Sequence, residues 1–389
     1  MASSFPSRFV DQKTGTIEKF QTMRERVTGE FLPEAGHVGI LAVKLAVLAP
    51  FVGGLVVAAP VVAVAWFGAR WGAAKVIDLV HEKLLLEHKK GDFIEFDFTK
   101  ADDVAAFSAR YGDRHAQFAQ DYAAMTKLAG LPQPPKVFII DQFFKKGGTS
   151  KLGGLVSDFM AGTTSRPNGK DPVIMLGKGA LNELTAGELR AVVAHEMTHL
   201  NLQHPAKGVR WQGRMPVNAL INVALVGAAL LGPLPLLPVL GFVAVTNVAG
   251  RALKAIQSRH HEKLCDRGAA LITGGTGDLT TALEKIKHSM LKMQRIETEY
   301  AYRSKGLEPP EQKEAGAVKR FFVATHPANE VRSSLLQQFE KKYPAWCEKQ
   351  RGYFSNAFNK AAARPDGGNA APLPANANTR GANRWQLAA

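Results

Sequence analysis

Cysteine is scarce in this 389-residue chain, which contains only Cys265 and Cys347. Two cysteines cannot form a disulfide framework, so a small disulfide-stabilised secreted domain is excluded and a reducing compartment fits the composition. An early apolar run is also absent, because the first 35 residues carry five basic side chains before any apolar stretch begins. We therefore expect no cleavable signal peptide.

Acidic residues are outnumbered, with 34 Asp and Glu against 49 Lys and Arg, which gives a formal net charge of +15. Such a balance suggests an anionic partner, either a nucleic acid or the negatively charged inner face of a membrane. The basic residues concentrate beside apolar blocks, and no recognisable nucleic-acid-binding motif accompanies them. We expect a lipid bilayer as partner and no nucleic acid.

Charge is missing altogether from two long apolar blocks, Leu45–Ala69 and Met215–Gly250. Uncharged runs of about 18 residues or more are candidates for membrane spans. The second block is interrupted by GPLPLLP (Gly232–Pro238), whose prolines and glycine cannot continue a helix, so we predict a helical hairpin. Its limbs are only about 20 Å long each, so tilted thin spans and a re-entrant pair both remain open.

The first block divides in a similar way at Pro50 and at the pair Gly53 and Gly54, although a single crossing from Leu45 to Phe67 also fits. Basic residues flank both ends of both blocks, as expected of two hairpins that return to the cytoplasmic side. The alternative is a set of buried helices in the core of a soluble protein.

The segment AVVAHEMTHLNLQH (Ala191–His204) carries the chemically most informative motif of the chain. His195 and His199 lie four residues apart, which on a helix puts both imidazoles on one face, as two nitrogen ligands of one zinc ion must be. Glu196 stands beside them, where a carboxylate can take a proton from water and deliver it to a leaving amine. The spacing alone does not distinguish a zinc protease from a chance pattern.

A catalytic zinc site needs a third protein ligand. His204 misses the metzincin ligand position by one residue, so we interpret it as a polar residue at the end of the helix. Glu262 and Asp266 lie four residues apart on a second predicted helix, the spacing of a ligand glutamate and an aspartate that orients a ligand histidine. Glu262 reaches the two histidines only if the intervening apolar block returns to the same membrane face. Two neighbouring histidines are rival ligands: His260 and His261.

With these motifs the chain resembles the HtpX-like branch of the membrane zinc metalloproteases, which also includes the CAAX prenyl proteases. The resemblance extends roughly from Pro132 to Leu335 and rests on ELRAVVAHEMTH, the apolar hairpin, SRHHEKLCDRGAA and THPANEVR. It implies an α+β fold: a mainly α-helical gluzincin-type metalloprotease domain with a small β-sheet, plus two hydrophobic helical hairpins in the membrane. It also implies one zinc ion (Zn²⁺) per chain, whose ligands are His195, His199 and Glu262.

The resemblance also implies roles for residues around the metal ion. Glu196 and His326 are the catalytic residues that it implies, His326 by stabilising the tetrahedral oxyanion. Arg332 would support this role of His326, and Asp266 would orient a ligand histidine from behind the metal ion. A strand before the motif helix pairs with extended substrate, and its residues here are Phe159, Met160, Ala161 and Gly162. A CAAX prenyl-processing role is not expected, because only four membrane limbs can be counted.

These expectations combine into one hypothesis: a membrane-bound zinc-dependent endopeptidase that hydrolyses peptide bonds in misfolded or membrane proteins. It would be a multi-pass protein of a bacterial-type inner (plasma) membrane, its active site would face the cytoplasm, and polypeptides would be its substrates. The alternative is a catalytically silent zinc-fold membrane scaffold. The expected segments are a basic N-terminal segment (1–36), a first hairpin (37–80), a metalloprotease domain (81–361) interrupted by a second hairpin (215–250), and a disordered tail (362–389).

The local patterns also predict individual elements. Alternating and apolar segments predict strands in 92–98 and 135–141 and a two-stranded hairpin in 154–181 that turns at Asn168 and Gly169. A capping box, Thr185 and Glu188, predicts that the motif helix begins at about Ala186. Helical patterns cover 100–111, 114–128, 277–305 and 329 to about 361.

Overall fold

The structure is a computed structural model, and it describes residues 23–49, 93–140, 161–165, 171–231, 235–303, 305–309, 328–345, 347–349 and 351–352, together with five single positions between 68 and 82. Most of the expected first hairpin, the turn at Asn168 and Gly169, and the expected tail lie outside the described residues. The described part is mainly helical with one small mixed sheet, which confirms that part of the predicted fold class.

Four strands form the sheet: β1 (Phe93–Phe96), β2 (Lys136–Ile140), β3 (Ala161–Thr164) and β4 (Val173–Gly177). Their order is β1-β2-β4-β3, in which β2 and β4 are parallel and the other two pairs are antiparallel. The two central strands are buried along nearly their whole length, as the apolar sequence of β2 predicts. β3 therefore lies at one edge of the described sheet.

Two helices, α3 (Ala101–Tyr111) and α4 (Asp113–Leu128), follow β1 and pack on each other. Their contact is built from aromatic rings; Phe107 and Phe118 are fully buried, and Phe98 packs edge-on against both. Such pairs bury large apolar areas with a defined geometry, so they anchor this layer beside the sheet. A short helix, α5 (Lys178–Glu183), then leads from β4 into the motif helix.

The motif helix α6 (Ala186–Asn201) begins at the predicted residue, with the predicted capping box in place. The backbone N–H of Glu188 donates to Thr185 Oγ1 at 3.2 Å, and the backbone N–H of Thr185 donates to Glu188 Oε2 at 2.7 Å. The box satisfies backbone N–H groups that the first turn of a helix leaves unpaired. It thereby holds the start of the helix that carries both histidines.

Two long helices follow, α7 (His204–Leu231, 28 residues) and α8 (Leu236–Thr273, 38 residues). The break between them falls inside the predicted GPLPLLP turn, but each helix extends well beyond the uncharged block, to about 42 Å and 57 Å at the usual helical rise. The helical pattern continues because Pro205 lies in the first turn of α7, where proline is tolerated, and the part of α8 that follows Gly250 contains no proline. Glu262 consequently stands on the same helix as an apolar limb.

The apolar part of α8 is not the core of a soluble domain, since only 6% of its most apolar window is buried within the protein. Leu237 is 80% exposed and Val245 is 68% exposed. Among the described residues, Val27–Leu48 and Leu236–Thr273 are long and apolar enough to cross a membrane, and Asn218–Leu230 is a shorter apolar helix. The exposure favours a lipid environment for these surfaces.

The N-terminal segment packs along α8 as one continuous run of helix: α1 (Met23–Arg26), a π-helical turn (Val27–Phe31) and α2 (Leu32–Leu48). The helix continues without a break across residues 36 and 37, where the basic N-terminal segment was expected to end and the first hairpin to begin. The division of the chain at that point remains a prediction. Gly29 permits the close packing, because a side chain there would overlap the imidazole of His260. Near the other end, Leu48 packs against Leu225 and Val239.

Two further helices close the domain, α9 (Gly277–Arg303) and α10 (Asn329–Lys342). The expected helix from 329 to about 361 is helical again at 344–345, 347–349 and 351–352 among the described residues, but it is not continuous, because α10 ends at Lys342. The next residue, Tyr343, has φ −129° and ψ 50°. It precedes Pro344, and proline disfavours the helical conformation of the residue before it. α10 packs on α8 and α9, which brings Arg332 to the site.

Candidate metal centre

Two residues of the motif are buried on α6, since His195 is 6% exposed and Glu196 is 8% exposed, and His199 is partly exposed. Almost every side chain from Leu189 to Leu200 is buried, because α6 packs between the sheet, α4, α8 and α9. An ionisable side chain in such surroundings is costly unless it has partners. The partners come from α8 and α10.

Glu262 of α8 completes a set of three ligand atoms. Its Oε2 lies 3.4 Å from His195 Nε2 and its Oε1 lies 3.5 Å from His199 Nε2, while the two Nε2 atoms are 3.1 Å apart. In tetrahedral zinc sites with Zn–N and Zn–O distances of about 2.0–2.2 Å, neighbouring ligand atoms are about 3.3–3.5 Å apart. The donor set and its spacing therefore fit a zinc ion.

A line of charged groups stands behind the ligands. Asp266 Oδ1 lies 3.0 Å from His195 Nδ1, the ring nitrogen opposite the ligand atom. Arg332 donates to both carboxylate oxygens of Asp266, at 2.8 and 2.5 Å, and its Nη2 lies 3.7 Å from Glu262 Oε2. A carboxylate on the second nitrogen of a ligand histidine fixes its tautomer and ring orientation. Arg332 thus contacts both Asp266 and Glu262.

The electrostatic field of this cluster favours positive charge. Burial on its own lowers the pKa of His195, but the hydrogen bonds and charges of Asp266 and Glu262 outweigh it and raise that pKa to about 10. The same field that holds a proton on the imidazole would favour a metal cation in its place, because both are positive charges beside the same two carboxylates.

His204 occupies a position that the sequence analysis did not anticipate. It is buried at the first residue of α7, and its Nδ1 lies 2.9 Å from His199 Nδ1. Cys265 Sγ lies 3.4 Å from the same atom of His204, so the thiol both packs in the core and contacts this histidine. Among the described residues, His199, His204 and Cys265 form a second group whose ligand atoms are close together. In the sequence, this contact is indicated by the five-residue spacing between His199 and His204.

The rival ligand histidines do not join the triad. The ring of His261 stacks on that of His204, with centroids 3.9 Å apart and planes 12° apart, and His260 packs under Gly29. The triad in the described structure is His195, His199 and Glu262.

A cleft of about 410 Å³ exposes the triad. One wall is α6 with Glu196, and another is the edge strand β3, including Ala161 and Gly162. Of the other residues expected at the site, Phe159, Met160 and His326 lie outside the described residues. The rest of the wall comes from the hinge between α6 and α7 and from α8, including His204, Pro205, Lys254, Gln257, Ser258 and His261.

The comparisons with known proteins agree with this arrangement. The model of peptidase family M48 matches residues 156–340, which contain β3, α6, the hairpin and α8 to α10. Residues 156–340 are thus similar to a peptidase family M48 domain. The matched residues include the motif helix, Glu262 and Arg332, which the geometry brings together.

Individual proteins of known sequence or structure are also similar to this chain. A protein named "Protease HtpX homolog" from Ralstonia pickettii is 29% identical over 238 residues, which are 59% of this chain and 76% of that protein. A protein of the same name from Moorella thermoacetica is 28% identical over 195 residues, 46% of this chain and 64% of that protein. Among solved structures, the crystal structure of S. mikatae Ste24p has a TM-score of 0.39 and 16% identity, over 85% of this chain and 70% of that chain.

Proposed function

We propose that this chain is a membrane-bound, zinc-dependent endopeptidase. The observation that carries the proposal is the meeting of His195, His199 and Glu262 ligand atoms within 4.8 Å of one another. They meet in a cleft that Glu196 also lines. The family match and the names of the relatives support a protease, and the exposed apolar helices support a membrane setting. One zinc ion per chain would be held by the three ligands.

Bound zinc would act as a Lewis acid that polarises the scissile carbonyl group and makes a water molecule more acidic. The residues of the chain supply the rest. Glu196 stands beside the ligands in the cleft, where its carboxylate would remove a proton from water and then give it to the leaving amine. Asp266 and Arg332 would hold His195 and Glu262 in place. His326 remains a prediction for oxyanion stabilisation.

Strand β3 supplies a place for an extended peptide. It lies at the edge of the described sheet and lines the same cleft as Glu196. A peptide that paired with its outer edge would be held by main-chain hydrogen bonds, whatever its side chains. Unfolded or membrane-released polypeptides present such extended backbone, so misfolded and membrane proteins are the proposed substrates.

The proposed orientation places the active site on the cytoplasmic side of a bacterial-type inner membrane. Basic residues follow the apolar half of α8 on the side of the site, including Arg251, Lys254 and Arg259. Lys and Arg concentrate on the cytoplasmic flanks of membrane segments. Both ends of the α7 and α8 pair lie at the site, as a hairpin from the cytoplasmic face requires.

The test is the substitution Glu196→Gln in the full-length protein in detergent. Loss of the general base should lower the cleavage rate of an unfolded casein substrate roughly 10²–10⁴-fold, because proton transfer by a placed side chain contributes about that much. The zinc content should stay at one per chain, since Glu196 is not a ligand. Glu284→Gln, on an exposed position of α9, is the matched control and should leave the rate unchanged.

Two outcomes would contradict the proposal. Undiminished cleavage by Glu196→Gln would show that this carboxylate does not transfer the proton in the reaction. Zinc-loaded wild-type protein that cleaves no unfolded substrate would instead favour the catalytically silent scaffold, which the family match does not favour.

A further inference from the structure

His199 uses only one of its two ring nitrogens in the proposed metal centre. Its Nε2 faces His195 and Glu262, and its Nδ1 lies 2.9 Å from His204 Nδ1. A neutral imidazole carries its proton on one nitrogen and a lone pair on the other. If Nδ1 holds the proton, the lone pair of Nε2 is available to the metal ion.

We propose that His204 is the positioning residue of His199. Its Nδ1 accepts the hydrogen bond from Nδ1–H of His199, and this bond fixes the tautomer and ring angle that present Nε2 to the metal ion. Asp266 does the same for His195, so the two ligand histidines would be oriented by different kinds of acceptor: a carboxylate and a neutral imidazole. The inference rests on the proposed function, because it assigns the support of that same site.

The surroundings of His204 hold its ring in place. One face stacks on His261 of α8, with centroids 3.9 Å apart, and the ring meets that of His199 at an interplanar angle of 74°. Cys265 Sγ approaches the same nitrogen at 3.4 Å. His204 is only 7% exposed, so water competes little for its contact with His199.

The backbone conformation before His204 also supports its proposed positioning role. Between the end of α6 and the start of α7, Gln203 has φ 55°, in the left-handed region that non-glycine residues rarely adopt. The chain turns at this residue, and α7 then begins with His204 against His199. Such backbone conformations persist where the surrounding structure requires them. The turn places an acceptor behind a ligand.

The test compares zinc affinity, measured by competition with a chromophoric chelator, among full-length variants in detergent. His204→Phe keeps a flat ring for the stack on His261 but has no acceptor, and it should bind zinc about 10–100-fold more weakly, the usual effect of losing such a partner. His204→Asn places an amide oxygen near the position of Nδ1 and should stay within about threefold of wild type. Circular dichroism checks that each variant is folded.

The rescue separates positioning from packing, since a packing role would favour phenylalanine over asparagine. Wild-type affinity in His204→Phe, or a loss in folded His204→Asn as large as in His204→Phe, would overturn the proposal. Two zinc ions per wild-type chain, reduced to one by Cys265→Ala, would also overturn it, because His204 would then be a ligand of a second ion. If the wild type binds no zinc at all, the proposed function itself fails.

Discussion

The metal centre and the apolar helices each contain a buried polar cluster, and the two clusters differ in the source of their positive charge. In the first, His195, His199 and Glu262 direct ligand atoms at a common point that fits a zinc ion. In the second, the chain supplies the cation. Lys44 of α2 is fully buried and donates to three asparagine oxygens, on Asn218 and Asn222 at 2.7 Å and on Asn247 at 3.4 Å.

The difference indicates how each cluster relates to function. The lysine cluster satisfies its own donors and acceptors, because Asn218 and Asn222 also donate to Asn247 at 3.0 and 3.2 Å. A polar network of this kind can join α2 to α7 and α8 without any ligand. The metal centre has more negative than positive groups among its close partners, so it should become fully stable only with a bound cation.

The largest expected effect is at the metal centre. Arg332→Met removes the cation that neutralises buried Asp266, and breaking a buried ion pair from one side costs about 3–5 kcal/mol of unfolding free energy. The measurement is denaturant unfolding in the presence of a chelator, so that zinc does not contribute. Lys287→Met breaks an ion pair of exposed side chains on α9 and α10 and should leave stability unchanged. Equal stability of both variants would contradict the assigned role of Arg332.

The lysine cluster should show a smaller loss. Lys44→Met keeps the apolar stem but leaves buried asparagine oxygens without their donor, at an expected cost of about 1–3 kcal/mol. Added zinc should stabilise this variant as much as wild type, because the two clusters are separate. The control is Val43→Met, at a half-exposed position of the same helix. A Lys44→Met protein that loses its zinc response would show that the clusters are coupled.

The smallest expected effect is the coupling inside the lysine cluster. A double-mutant cycle of Lys44→Met and Asn247→Leu should give an interaction energy of about 0.6 kcal/mol, the average for hydrogen bonds between membrane helices. Additive losses would mean that the hydrogen bond from Lys44 to Asn247 contributes nothing to stability.

Local signals in the sequence predicted much of this molecule. The capping box placed the start of α6 correctly because Thr185 and Glu188 act on backbone groups within one turn. The break between α7 and α8 was predictable for a similar reason, since Pro233 and Pro235 act on their own neighbours. The meeting of Glu262 with His195 followed from a geometric argument about a returning hairpin, and its residue spacing was visible in the sequence.

Contacts between distant segments were not predictable in the same way. Nothing in the local pattern around Lys44 indicates the three asparagines, which lie on two other helices. In the sequence, Gly29 indicates only a residue that weakens a helix. Its close packing against His260 is visible only in the structure. The local pattern around His204 indicates only a helix end, because its contacts with His199 and His261 depend on the turn at Gln203. These contacts arise from tertiary packing.

The most direct test of the account is the zinc content of purified wild-type protein compared with that of Glu262→Gln. This substitution keeps the size of the side chain and removes the carboxylate that joins α8 to the two imidazoles of α6. The account predicts one zinc ion per wild-type chain and a large loss of zinc from the folded variant. Equal zinc content in the two proteins would contradict it, because the metal ion would then be held without the third ligand.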